Sequence, residues 1–195
     1  MSTPEPPDQR PAESAEEPVS SPALDRLKEA MPETVVESEL VLGVPIVRID
    51  PGRLLETGTF LRDDPDCRFD LLSSLCGVDM SAAGREHPRF DVVYHLFSVE
   101  HKHRMTLKVG VEEEDETPSV VPVWRTANWH EREAFDMFGI VFAGHPDLRR
   151  ILMPEEFDAY PLRKDFPLEG REKDHGDWRQ PGDEDRFTYV ADPEA

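Results

Sequence analysis

The chain has 195 residues, enough for one domain with a proper core plus tails. Its 42 acids against 22 bases leave a net charge of -20, which argues against naked nucleic acid as a partner, because phosphate binding needs a basic face. Hydrophobic residues make up 37% and come in short runs, so no segment reaches the roughly 20 apolar residues that span a bilayer.

Residues 1–21 are rich in proline and acids and read as a disordered tail, without the apolar core of a signal peptide or the basic character of a transit peptide. Ser21 and Pro22 then supply a cap and first turn for a helix to about Ala30, with Leu24, Leu27 and Met31 at helical spacing. Residues 34–40 and 44–49 alternate as two strands around Gly43. Asp50 and Pro51 open a second helix, with Leu54, Leu55, Phe60 and Leu61 on one face, which stops at Asp63-Asp64-Pro65. Three more strands are predicted near 69–79, 90–99 and 104–111, the last two as a hairpin closed by the polar link 100–103. The acid run 112–116 reads as a solvated loop.

After Pro118 the period changes. Trp124, Ala127, Glu131, Ala134, Phe135 and Phe138 fit a helix ending at Gly139, a C-terminal glycine of the left-handed kind. Asn128 and Glu131 stand as N-x-x-E, the spacing of a capping box. The expectation is an α+β fold: a largely antiparallel sheet with helices on one face, followed by a helix and an extended irregular C-terminal arm. The predicted divisions are a tail at 1–21, an α+β domain at 22–138, a docking arm at 139–168 and an extended acidic tail at 169–195. Trp178, Phe187 and Tyr189 along that last tail suggest that it lies on a partner surface.

The chemistry-bearing residues concentrate between 129 and 167. There Glu131, Arg132, Glu133, Asp136, His145, Arg149, Arg150, Arg163, Lys164 and Asp165 alternate with Trp, Phe, Met, Ile and Leu. Charge set among large apolar groups has to be paired, or its desolvation is not offset. Arg132 and Asp136 are i,i+4 neighbours on a helix and read as an ion pair. The arginines and Lys164 read either as pairing within the arm or as recognising a partner's carboxylates and carbonyls. With Phe166 and the arm's other apolar residues they make up a candidate interface.

Other chemistry finds less support. Cys67 and Cys76 stand apart, without CxxC, and read as small buried hydrophobes. His101 and His103 fall in a predicted turn and read as exposed; no HExxH or His/Cys cluster occurs. No glycine-rich phosphate loop and no G-x-S-x-G motif is present.

The ordered run E-R-E-A-F-D-M-F-G-I at 131–140, then G-H-P-D-L-R-R-I-L-M-P at 144–154, then P-L-R-K-D-F-P-L at 161–168, resembles the 30-kDa (C-type) subunit of proton-pumping NADH:quinone oxidoreductase, respiratory complex I. The resemblance is dense over 118–168 and loose over 22–111. It implies a peripheral subunit without a catalytic, cofactor-binding or metal site of its own, FMN and iron–sulfur clusters being expected on partner subunits. Its chief partner would be the subunit that forms the quinone site, and its place the cytoplasmic side of the cell inner membrane. Related subunits of membrane-bound hydrogenases and plastid-type dehydrogenases share the pattern. A reading of another class is a free-standing enzyme using Glu131, Asp136 and His145.

Overall fold

The computed structural model describes residues 21–84 and 87–171, so all but Ser21 of the predicted tail at 1–21, and positions 172–195 of the predicted tail at 169–195, lie outside the described residues. Helix α1 spans Pro22–Ala30, with the Ser21 side chain accepting the Leu24 N–H as predicted and Ala23, Leu24 and Leu27 turned inward. Strands β1 (Val35–Val41) and β2 (Val44–Ile49) form a hairpin through Leu42 and Gly43, both at positive φ, the geometry of a type I′ turn. Asp50 caps a short 3-10 turn that leads into α2 (Leu54–Asp63). On α2 the inward face is Leu54, Thr57, Gly58 and Leu61, whereas Leu55, predicted to share that face, points outward. Gly58 matters here because a Cβ would press the Trp124 ring at 3.2 Å.

Strands β3 (Leu71–Asp79), β4 (Phe90–Phe97) and β5 (Arg104–Val111) complete a five-stranded sheet in the order β1-β2-β5-β4-β3. Pairing is antiparallel except between β2 and β5. The period of two decides the faces. Val47, Ile49, Leu72, Leu75, Val92, Tyr94, Leu96, Met105, Leu107 and Val109 are buried together with residues of all three helices. An irregularity between Leu72 and Ser74 explains the three-residue step from Leu72 to Leu75. On the opposite, helix-free face Arg48 reaches past Gly110 to make a two-bond pair with Asp91, both contacts at 2.7 Å.

Two short strands escaped the sequence reading. Strand β6 (Glu116–Pro118) and strand β7 (Val141–Ala143) pair in parallel on either side of α3 (Ala127–Phe138). Three residues give no readable alternation, which is why 112–116 and 140–168 looked irregular throughout. The predicted capping box is also absent: Asn128 lies inside α3, the cap position is Thr126, and the Glu131 carboxylate is engaged elsewhere. Gly139 ends the helix at φ +78, as expected. Cys67 is buried, and burial pushes its thiol up to about 12. Cys76 corrects the sequence reading, since it is exposed on the outer face of β3.

Candidate functional site

Helix α3 and the arm that follows it are joined by two buried carboxylates. The first is Asp136, whose side chain has no exposure. Its Oδ2 accepts the backbone N–H groups of Ile151, Leu152 and Met153 at 3.0, 2.6 and 2.9 Å. Its Oδ1 accepts Arg150 Nη1 at 2.7 Å. Burial opposes ionisation, but these N–H donors and the guanidinium outweigh it and hold the Asp136 carboxyl below its ordinary value.

The predicted Arg132–Asp136 pair is therefore replaced by Arg150–Asp136. Arg132 instead donates to the Arg149 and Arg150 carbonyls and lies over the Trp129 ring at 5.2 Å. The i,i+4 rule describes exposed helix faces. Here the arm covers that face, and its backbone groups need partners that only buried side chains supply.

The second carboxylate is Glu131, also without exposure. It accepts Ser119 Oγ at 2.6 Å and the Val120 N–H at 2.7 Å. Burial dominates and pushes its carboxyl up to about 7. His145 approaches with Nε2 4.0 Å from Glu131 Oε2. The His145 Nδ1 accepts the Asp147 N–H, so Nε2 carries the proton and donates to the Asn128 carbonyl at 3.1 Å.

Further along, the arm folds back on α3 and the sheet. Arg163 donates to the Phe138 carbonyl at the end of α3, pairs with Glu113, and lies between the rings of Tyr160 and Phe90, 4.5 and 5.1 Å away. Gly139 makes room for it: a Cβ there would sit 2.6 Å from Tyr160 and 2.8 Å from Arg163. Asp79, at the end of β3, accepts the Lys164 N–H and Arg89, and Arg89 also pairs with Asp165. Phe157 is buried and meets Phe166 at 6.0 Å.

The predicted residues thus divide. Glu131 and His145 come together; Arg132, Asp136 and Arg150 form a second cluster; Arg163 and Phe166 hold the arm's far end. Glu133 is exposed, Arg149 pairs with exposed Asp147, and Lys164 contributes its backbone N–H. For the arginines this favours pairing within the chain. Sequence reasoning missed Asp79, Arg89 and Ser119. Asp79 left one signal, an acid in phase with the inward positions of an apolar strand.

The arm's apolar residues also divide. Leu148 and Met153 pack against the core, while Leu152, Leu162 and Leu168 stay exposed, as does Trp129 on α3. A groove of about 500 Å³ lies on the helix-free sheet face, lined by Val41, Ile46, His95 and Thr106 among others, and none of the candidate residues borders it. His101 and His103, in the predicted turn, bond through their rings to the Pro65 and Cys67 carbonyls; His103 is half-buried against Phe69.

Known proteins fit this architecture. A family model described as respiratory-chain NADH dehydrogenase, 30 Kd subunit, matches residues 47–172. A Roseiflexus sp. (strain RS-1) protein, named as the C-type subunit of NADH-quinone oxidoreductase, is 51% identical over 150 residues, 76% of this chain and 84% of the relative. A Rhizobium etli (strain CIAT 652) protein, whose name is the same with the numeral 2 added, is 47% identical over 151 residues, 76% of this chain and 79% of the relative. Among solved structures, a trypsin-resistant fragment of Nqo5 is similar with a TM-score of 0.54 and 33% identity, covering 65% of this chain and 99% of the fragment. A chain of an archaeal membrane-bound sulfane sulfur reductase shares the fold with a TM-score of 0.60 at 22% identity, covering 74% of this chain and 84% of that one. With the family model, these relatives and the buried-charge motif at 131–168 in agreement, the chain belongs to the family of respiratory-chain NADH dehydrogenase 30 Kd subunits, the C-type subunits of NADH-quinone oxidoreductase.

Proposed function

We propose that this chain serves NADH:quinone oxidoreductase as a docking subunit that carries no cofactor and no active site, and that it holds the quinone-site subunit in place. Its position would be peripheral, on the cytoplasmic side of the cell inner membrane; among the described residues no helix is long and apolar enough to cross a bilayer. FMN and iron–sulfur clusters then belong to partner subunits.

The observation that carries the docking reading is the division of labour in the arm. Arg150 and Arg163 are spent inside the chain on Asp136 and the end of α3, and the Lys164 N–H on Asp79, which stiffens the arm. Its outward surface keeps Leu152, Leu162 and Leu168, which are 60%, 53% and 103% exposed, with Trp129 at 64%. Apolar groups left outward on a fixed scaffold suit a partner surface, because little ordering remains to be done on binding. The enzyme reading on Glu131, Asp136 and His145 loses support from the same geometry. Asp136 is occupied by three N–H groups and Arg150, and the rings of His101, His103 and His145 are each engaged to a carbonyl.

Removing the arm at Gly144 is a poor test, since it would strip the buried Asp136 of its donors. The better one is capture of the separately expressed quinone-site subunit by the full chain carrying Leu152→Asp, Leu162→Asp or Leu168→Asp. Loss of about tenfold or more in affinity is expected for at least one, with circular dichroism unchanged. Undiminished capture by all three would move docking to the sheet domain.

A further inference from the structure

Several elements converge on the Glu131 side chain. From the turn after β6 come the Ser119 hydroxyl and the Val120 N–H. From β4 comes Tyr94, fully buried, whose hydroxyl is raised first by burial and then by the charge of Glu131. From the bend after β7 comes His145, neutral in its observed hydrogen bonding. The titratable groups facing Glu131 are thus Tyr94 and His145, and neither is a fixed cation. Asp136 on the same helix has Arg150 beside it; among the described residues Glu131 has two hydrogen-bond donors and no fixed counter-charge.

A protonated carboxyl keeps both contacts. One oxygen accepts from Val120, and the other donates to the Ser119 oxygen. An ionised carboxylate can accept from both, but only with a net charge sealed from solvent and no cation beside it among the described residues, so ionisation favours opening of the turn to water. The two contacted segments are mechanically linked, because β6 and β7 pair at Thr117 and Phe142 and the Ser119 N–H donates to the Ala143 carbonyl at 2.9 Å. The same ribbon therefore carries the turn at 119–120 and the bend at 145–147 from which the arm departs.

We propose that Glu131 is a proton-holding latch at the root of the arm: with its proton it fastens the 119–120 turn to α3, and loss of that proton loosens the turn and, through the β6–β7 ribbon, the 145–147 bend. Burial pushes its titration up to about 7, so the exchange falls near neutrality. The buried Tyr94 and Thr117 hydroxyls lie beside one another and find no partner beyond each other among the described residues, which gives a water drawn in with the charge polar groups to bind. The latch concerns the arm's own attachment and stands whichever subunit the arm meets.

The test uses the full chain labelled with carbon-13 at glutamate carboxyls. The expected result is one carboxyl resonance titrating near neutrality and absent in Glu131→Gln. Hydrogen exchange at the Val120 and Asp147 amides should accelerate over the same range, beyond the intrinsic pH effect, in the unaltered chain and not in Glu131→Gln. A Glu131 carboxyl already ionised at about pH 5, or equal acceleration in both chains, would overturn the latch. Should Glu131→Gln fail to fold, Ser119→Ala replaces it. In that variant the Val120 and Asp147 amides must still accelerate over the range in which the Glu131 carboxyl titrates, and exchange that stays flat across that range would equally sink the proposal.

Discussion

Asp136 and Glu131 lie five positions apart on one helix, and both carboxylates are wholly removed from solvent. Asp136 meets three backbone N–H groups and a guanidinium and is held ionised. Glu131 meets one hydroxyl and one N–H and is pushed toward the neutral acid. Burial pushes both carboxyls up; what separates them is the number and sign of the donors that oppose it. Asp136 anchors the arm with a fixed charge, whereas Glu131 marks where the arm begins with a group whose charge can change.

The sharpest way to break this comparison is Asp136→Ala. It should destabilise the chain by about 3–5 kcal/mol in denaturant unfolding, because Arg150 and three N–H groups are left buried without their acceptor. A double-mutant cycle between Arg150→Ala and Asp136→Ala should show stronger coupling than one between Arg132→Ala and Asp136→Ala. The reverse order would restore the i,i+4 pair that the sequence suggests.

The pH profile tests both carboxylates at once. Asp136 has a lowered folded value, so its contribution is full above the unfolded value near about 4 and is lost as pH falls through the folded one. Glu131 has a raised folded value, so the folded chain holds the proton more tightly than the unfolded chain. Its contribution falls as pH rises from 4.5 toward about 7 and is then constant. The difference corresponds to about 3 kcal/mol, visible as a decline in stability measured over that window. A profile that rises steadily to pH 7 would mean that Glu131 is ionised throughout.

A smaller effect is expected at the joint between α3 and the arm. Gly139→Ala should cost at least about 1–2 kcal/mol from its left-handed backbone alone, and more if the Tyr160 and Arg163 side chains must move. Thermal unfolding measures it, and an unchanged midpoint would show that the arm does not press on this turn. The smallest stability effect belongs to the outward leucines. Leu152→Ala and Leu162→Ala should stay within about 0.5 kcal/mol while weakening capture of the partner.

Much of this was legible along the chain. The three helices and five long strands follow from local signals: Ser21 and Pro22 at a helix start, Gly43 in a hairpin turn, Gly139 at a helix end and period-two alternation from Phe90 to Leu96. The family was legible too, because the interleaved charge and aromatics of 131–168 form a long ordered pattern. That pattern also said that the charges had to be paired. It did not say with what. Arg150 lies 14 residues beyond Asp136 and Ser119 lies 12 before Glu131, separated by segments without a readable period. Such pairings depend on which backbone donors the arm leaves unsatisfied when it closes over α3, and on how many reach each carboxylate. The sequence by itself determined that the charges of this helix and its arm stand among large apolar groups and need partners. The tertiary structure alone decided that Asp136 would be held ionised by its donors and Glu131 left without a counter-charge among the described residues, because desolvation and donor count are properties of the packed surroundings and not of the residue.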